Sequence, residues 1–129
     1  MPTREDDAFA YAIWRVVPSV ERGEALNVGV VVYCRRRQFL KARVKIDEER
    51  LRTLAPDLDV AAVRTHLDGM VRVADGDPAG GTLATLPQSD RFGWLTAASS
   101  TIVQPSPIHT GLCADPRSVL DHLFARLVA

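Results

Sequence analysis

The segment QPSPIHTG, residues 104–111, carries the side chains best suited to chemistry. Ser106 is a candidate nucleophile and His109 a candidate general base, because the charge of an imidazole changes near neutral pH. Gln104 and Thr110 complete this polar set, and two prolines stiffen the backbone around it. A nucleophilic serine would also need His109 in contact and a carboxylate that orients the imidazole. The alternative is that His109 is a buried, hydrogen-bonded residue of the core.

A second polar group stands at the start of a strongly apolar run. Glu24 precedes the run and Asn27 lies at its beginning, so Glu24 is a candidate ligand for a cation or a hydrogen-bond donor at the end of a sheet. Gly29 inside the run indicates a bulge or a close approach of another segment. The alternative is that Glu24 and Asn27 satisfy loop backbone groups, while Gly29 leaves room for an aromatic ring.

A third polar group is the pair Asp90 and Arg91, which precedes two aromatic residues. Arg91 is a candidate for bidentate binding of a phosphate or a carboxylate. In the alternative, Asp90 is a helix cap or an ion-pair partner of Arg91 beside core aromatics. An exposed ion pair contributes only about 0–1 kcal/mol, so a purely structural pair would add little.

Six basic side chains form a fourth candidate site on a predicted hairpin. Three of them alternate along a strand and therefore share one face, and the other three occupy the turn before it. This arrangement suits an anion or a partner protein. The alternative is a solvated strand face whose charges prevent edge-to-edge aggregation. The patch consists of Arg35, Arg36, Arg37, Lys41, Arg43 and Lys45.

The composition of the 129 residues suits one globular domain, residues 1–129, with 47% apolar and 25% charged side chains. The 16 basic and 16 acidic residues balance, which argues against a dedicated nucleic-acid-binding protein. Cys34 and Cys113 are expected to be free thiols. His109 and Cys113 are four residues apart, but no second ligand pair has zinc-like spacing, so we expect no metal and no cofactor.

Neither end of the chain nor its interior predicts a membrane segment. Residues 1–7 lack the basic start and apolar run of a secretory signal. No apolar stretch approaches the length of about 20 residues that spans a bilayer. We therefore expect a cytoplasmic protein that does not enter a membrane.

The elements that must position these residues follow from hydrophobic periodicity and capping signals. Strands are predicted early in the chain and helices later, without regular alternation, so we expect an α+β fold. Its antiparallel sheet should have four to five strands, with three to four helices packed mainly on one face; a small, partly open barrel is the alternative. The predicted strands are residues 9–17, 26–34, 39–46 and 101–104, and residues 108–113 form either a turn or a short edge strand. The predicted helices are 48–55, 60–75 and 116–128, with a helical turn at 89–95.

The chain resembles a bacterial family known as domain of unknown function 3037. The resemblance rests on residues 11–17 with Arg-Gly-Glu at 22–24 and Asn-Val-Gly-Val at 27–30, on Asp-Arg-Phe at 90–92 with Trp-Leu at 94–95, and on residues 101–107 with His-Thr-Gly at 109–111. The family carries no assigned activity. Its members look like companions of HipA-like kinase proteins, which implies a binding partner or regulator. This chain has Ala98 and Ser99 where the family pattern has proline and arginine, so one positive charge beside His109 is lost.

Three functions remain open on this basis, in decreasing order of support. The first is a non-catalytic interaction or regulatory module, because no known catalytic motif is present. The second is a small hydrolase or phosphate-handling enzyme in which His109 meets Glu24, Asp90, Arg91 or Ser106 in one cleft. The third is a nucleic-acid-binding domain that uses the basic hairpin.

Overall fold

The computed structural model describes residues 6–19, 21–97 and 102–129, and its fold is α+β with a five-stranded antiparallel sheet and four α-helices. Two short 3₁₀ turns, Pro78–Gly80 and Thr82–Thr85, lie between the second and third helices. The strands are β1 (Asp7–Ser19), β2 (Glu24–Cys34), β3 (Phe39–Val44), β4 (Val103–Pro105) and β5 (His109–Cys113). The helices are α1 (Glu48–Leu54), α2 (Val60–Asp75), α3 (Gln88–Leu95) and α4 (Pro116–Leu127).

The long strand β1 organises the sheet, because all other strands except β3 pair with it. β2 lies antiparallel on one side of β1, and β3 pairs with the outer edge of β2. On its other side β1 pairs with β5 along its first half and with β4 along its second half. Thr101, predicted to begin the fourth strand, lies outside the described residues, as do Ala98 and Ser99.

The helix starts follow the capping signals of the sequence. The carboxylates of Asp47, Asp59 and Asp115 accept hydrogen bonds from backbone N–H groups in the first turns of α1, α2 and α4. Pro116 occupies the first turn of α4, where its missing N–H has no helical partner in any case. Gly76 ends α2 in the left-handed conformation, with a φ of 71°.

The two faces of the sheet are covered unequally. Ala12, Trp14 and Val16 of β1 are completely buried on the first face, beneath α1, α2 and α3. The second face is covered by α4, whose Leu120 packs on Val30 and Val32. Three helices on one face and one on the other agree with the predicted arrangement. None of the described helices is long and apolar enough to cross a membrane.

A bulge in β2 shifts the register at the centre of the sheet. Trp14 lies opposite Gly29, whereas the next residue, Arg15, lies opposite Asn27, so Val28 is the extra residue. A Cβ atom on Gly29 would approach Cε3 of Trp14 to 2.9 Å. This contact confirms the structural interpretation of Gly29, which leaves room for an aromatic ring.

Candidate functional site

Three polar side chains lie in one row across the second face of the sheet. Arg15 of β1 has Asn27 of β2 opposite it on one side and Gln104 of β4 on the other. Directly opposed residues of antiparallel strands point to the same face, so the three side chains are neighbours. The Asn27 amide also donates to the carbonyl of Leu127, at the end of α4, over 3.1 Å. Asn27 and Gln104 were predicted as site residues, whereas Arg15 was not.

His109 of β5 lies on this same second face, nearer the start of β1. It is opposite Tyr11, and the two rings stack with centroids 5.1 Å apart and an interplanar angle of 29°. His109 is exposed, so its interpretation as a buried residue of the core is wrong. Thr110 is the next residue along β5 and therefore points to the first face, away from His109.

Ser106 lies between the end of β4 and the start of β5, where it forms hydrogen bonds to the backbone of β1. Its buried hydroxyl accepts a hydrogen bond from the N–H of Ile13 and donates one to the carbonyl of Pro107, both over 2.9 Å. The N–H of Ser106 donates to the carbonyl of Ile13 over 2.7 Å. The Ser106 hydroxyl thus donates its hydrogen bond to a backbone carbonyl rather than to the imidazole of His109. This arrangement does not suit a nucleophile, because a nucleophilic serine is activated by an adjacent base.

Glu24 lies at the far end of the sheet from His109. It is opposite Ser19, eight residues along β1 from Tyr11, which corresponds to about 26 Å. The predicted polar residues therefore do not meet in a single cleft around His109. Glu24 instead forms an ion pair of 2.8 Å with Arg22. The pair borders an open cleft of about 700 Å³ between the β1–β2 turn and α1.

Arg91 is buried on the first face and serves the end of α2. Its Nη1 donates to the carbonyls of Val73 and Ala74 over 3.0 and 3.1 Å. The positive guanidinium thereby lies at the negative end of the helix dipole. Asp90 is exposed in the first turn of α3, whose N-cap position is Pro87, so Asp90 is not the cap. Because its side chain is buried, Arg91 is poorly placed to bind an anion from solvent.

The basic patch is largely compensated by carboxylates. Asp7 lies 2.7 Å from Nε of Arg37 and 3.7 Å from Nε of Arg36. The hydrogen bond from Arg37 to Asp7 raises the pKa of this guanidinium above its usual value. Two further contacts join the edge strand β3 to helices on both faces: Lys41 to Asp75 at 3.1 Å and Arg43 to Asp121 at 2.8 Å. Arg35 and Lys45 are exposed.

The second face also contains partly exposed residues outside the four candidate sites predicted from the sequence. The odd-numbered residues of β1 from Phe9 to Val17 are all partly exposed, although Ala12, Trp14 and Val16 between them are fully buried. α4 packs mainly against β2 and β3, which leaves β1 with its β4 and β5 neighbours less covered. We call this strip the open lane; it consists of Phe9, Tyr11, Ile13, Arg15, Val17, Gln104 and His109.

Arg15 is the one charged residue of β1 in the open lane. Its Nε atom is buried and has no hydrogen-bond partner among the described residues. An unpaired buried donor costs about 1–3 kcal/mol. Nε of Arg91 on the first face is the other such atom among the described residues, but Nη1 of Arg91 bonds to the end of α2. A single arginine in an otherwise apolar alternating stripe is the sequence signal that could have identified Arg15.

The comparisons with known proteins identify a family and no relative of known activity. No curated protein and no solved structure matches the chain. Within the described residues, no group of three or more His, Cys, Asp or Glu side chains could hold a metal ion. The model of a family described as a protein of unknown function, DUF3037, matches residues 11–128. Because this match covers nearly the whole chain, the protein belongs to the domain of unknown function 3037 family.

Proposed function

We propose that this domain is a non-catalytic interaction module and that the open lane binds its partner. The observation that carries the proposal is the unequal burial of β1, which is fully buried at Ala12, Trp14 and Val16 on one face and partly exposed on the other. Tyr and Arg are enriched among the residues that dominate the energy of protein interfaces. The lane offers Tyr11 and Arg15 on a rigid strand, beside the apolar side chain of Ile13.

The separation of the polar residues supports binding rather than catalysis. Ser106 bonds to backbone atoms, Arg91 is buried at the end of α2, and Glu24 lies about 26 Å along β1 from the row of His109. An acid–base site needs a nucleophile or a carboxylate positioned beside its histidine, and neither Ser106 nor Glu24 is so placed relative to His109. The compensated charges of the basic hairpin likewise favour a protein partner over a nucleic acid.

The partner that we propose is a HipA-like kinase protein in the bacterial cytoplasm. The family resemblance supplies this class, and the two free, buried cysteines suit a reducing compartment. The test is co-expression of the tagged chain with the HipA-like kinase of the same bacterium, followed by affinity capture and titration of the purified proteins.

A matched pair of variants locates the interface. Tyr11→Asp introduces a charge into the open lane, and Leu86→Asp introduces the same charge at an exposed apolar residue outside it. We expect Tyr11→Asp to weaken binding at least about tenfold and Leu86→Asp to leave it unchanged. Both variants must keep the circular dichroism of the wild type. Binding that survives Tyr11→Asp but fails with Leu86→Asp would contradict the proposed surface.

A further inference from the structure

The open lane has the width of one helix. Neighbouring strands lie about 4.8 Å apart and packed helices lie about 8–10 Å apart, so one helix covers about two strands. α4 occupies the side of the second face over β2 and β3. The remaining side consists of β1 and its β4 and β5 neighbours, which is again two strands wide. A second helix beside α4 would complete this layer.

The residues of the lane define the chemistry of that helix. Tyr11 and Ile13 present partly exposed apolar surface beside the cluster of α4, and these groups suit apolar side chains. Arg15 carries a positive charge, and its buried Nε has no hydrogen-bond partner in the part of the chain that the structure describes. A carboxylate is the group that a guanidinium binds most specifically in a protein interface. The lane therefore fits a helix with an apolar face and one acidic residue.

We propose that an amphipathic helix of the partner protein docks in the open lane beside α4 and pairs a carboxylate with Arg15. This inference rests on the proposed interaction function and adds the structure and chemistry of the partner segment. Tyr11 and Arg15 are four residues apart, about 13 Å along the strand. A helix rises about 1.5 Å per residue, so this distance corresponds to about nine residues, and the nearest positions on the same helix face are about seven to eight residues apart. The apolar residue that meets Tyr11 should therefore lie about seven to eight positions from the acidic residue.

A peptide library tests this inference with the purified chain of 129 residues. The probe is a phage-displayed set of alanine-rich helical peptides of 16 residues, randomised on one face. We expect wild-type binders to carry an apolar stripe with Asp or Glu seven to eight residues from a large apolar residue. Selection against Arg15→Glu should enrich Lys or Arg at that acidic position instead. Arg35→Glu, the same change at an exposed turn residue, should give the wild-type pattern.

Several outcomes would overturn the inference. They are binders whose charge preference ignores Arg15→Glu, binders with extended proline-rich sequences, or no enrichment over the starting library. If Arg15→Glu does not fold, Arg15→Gln replaces it and should abolish the preference for acidic peptides. A wild-type dimer that Ile13→Asp converts to a monomer would place a second copy of the chain in the lane, which also overturns the inference. If Tyr11→Asp abolishes capture of the kinase but the library yields no helical binder, the proposed interaction function is retained and the inference about the helix is rejected.

Discussion

Single residues fix the centre of the sheet through a contact between two strands. Trp14 is fully buried, and its indole N–H donates to the carbonyl of Leu95 over 3.0 Å. The ring can occupy this position because Gly29 opposite it has no side chain. Val44 crowds the same space, since its Cγ1 would lie 2.9 Å from a Cβ on Gly29. Position 29 therefore requires glycine for steric reasons, because Trp14 and Val44 approach it from two sides.

Gly29→Ala should destabilise the fold by about 1–3 kcal/mol, the usual cost of adding atoms to a packed core. The matched control is Gly69→Ala within α2, where the added Cβ would meet no atom within 4 Å apart from the local backbone of its own helix. That variant should be stabilised by about 0.5–1 kcal/mol, because alanine favours a helix. Urea unfolding of both variants measures the two effects, and equal changes in both would contradict the steric role of Gly29.

Ser106→Ala should lower the free energy of unfolding by about 1–3 kcal/mol, because it leaves the N–H of Ile13 without its acceptor. The expected effect is on stability, whereas the proposed binding to a kinase protein should be unaffected apart from the fraction that unfolds. Thr110→Ala, at an exposed position of β5, is the control and should change stability by about 0.5 kcal/mol or less. A Ser106→Ala protein as stable as the wild type would exclude this structural role.

Asp115 should make the stability of the domain depend on pH in the acidic range. Hydrogen bonds from the Ser118 hydroxyl and the Arg117 N–H lower the pKa of this carboxyl in the folded protein. The cap therefore stabilises the fold above the pKa of the unfolded chain, and this stabilisation is lost as the pH falls through the folded pKa. We expect Asp115→Ala to be less stable than wild type at neutral pH, with a difference that shrinks in acid.

The comparison that isolates the cap of α4 is a set of urea unfolding curves at several pH values. Asp115→Asn keeps a side-chain acceptor but removes the charge, so it should fall between the wild type and Asp115→Ala at neutral pH. Asp68→Asn, at an exposed position within α2, is the charge-matched control. A constant difference between the wild type and Asp115→Ala at all pH values would contradict the role of the carboxylate.

At the scale of the elements, α2 depends on a side chain from α3 for its last turn. The carbonyls at the end of a helix lack partners within the helix, and Arg91 supplies one for Val73 and Ala74. Gly76 admits this contact, because a Cβ there would approach Nη1 of Arg91 to 2.7 Å. The two helices are therefore joined by a charge–dipole contact as well as by apolar packing.

Arg91→Ala should destabilise the domain by about 1.5–3 kcal/mol, the range for hydrogen bonds to a charged group. Amide hydrogen exchange should accelerate first at the end of α2, because the carbonyl of Ala74 loses the guanidinium and that of Val73 keeps only the N–H of Gly76. Arg72→Ala removes an exposed arginine from the same last turn and serves as the control. If Arg72→Ala accelerated exchange there as strongly as Arg91→Ala, the guanidinium contact would not be what holds α2.

At the scale of the whole molecule, the core is closed around both thiols while the second face stays partly open. Cys34 and Cys113 are buried and unpaired. Burial, with a smaller effect of Cys34, raises the pKa of the Cys113 thiol above its usual value. Since the thiolate is the reactive form, the chain should react slowly with a disulfide reagent at neutral pH.

The two cysteines should therefore be modified by a disulfide reagent when the domain unfolds rather than in the native state. We expect the rate for both thiols to rise with urea in parallel with the loss of circular dichroism. A Cys34→Ala variant isolates Cys113, whose raised pKa should keep its reaction slow until a more alkaline pH than that of a free cysteine. Rapid modification of Cys113 in the native protein at neutral pH would instead show that β5 opens independently.

The sequence alone determined the strands, the helices and the antiparallel character of the sheet, because these depend on local signals. Alternating apolar residues and capping aspartates correctly predicted β1 to β3 and the starts of α1, α2 and α4. The prediction of the α+β class followed from the order of these elements. Residue patterns also showed that Phe9, Tyr11, Ile13 and Arg15 share one face of β1, since side chains alternate along a strand.

Only the tertiary structure decided which polar residues are neighbours. The pairing of β4 with β1 brings Gln104 beside Arg15, whose neighbour on the other side is Asn27, although these residues are far apart in sequence. The same pairing uses the Ser106 hydroxyl for backbone bonds, and strand length keeps Glu24 distant from His109. Local sequence cannot encode these distances, because they depend on strand register and on which helix covers each face.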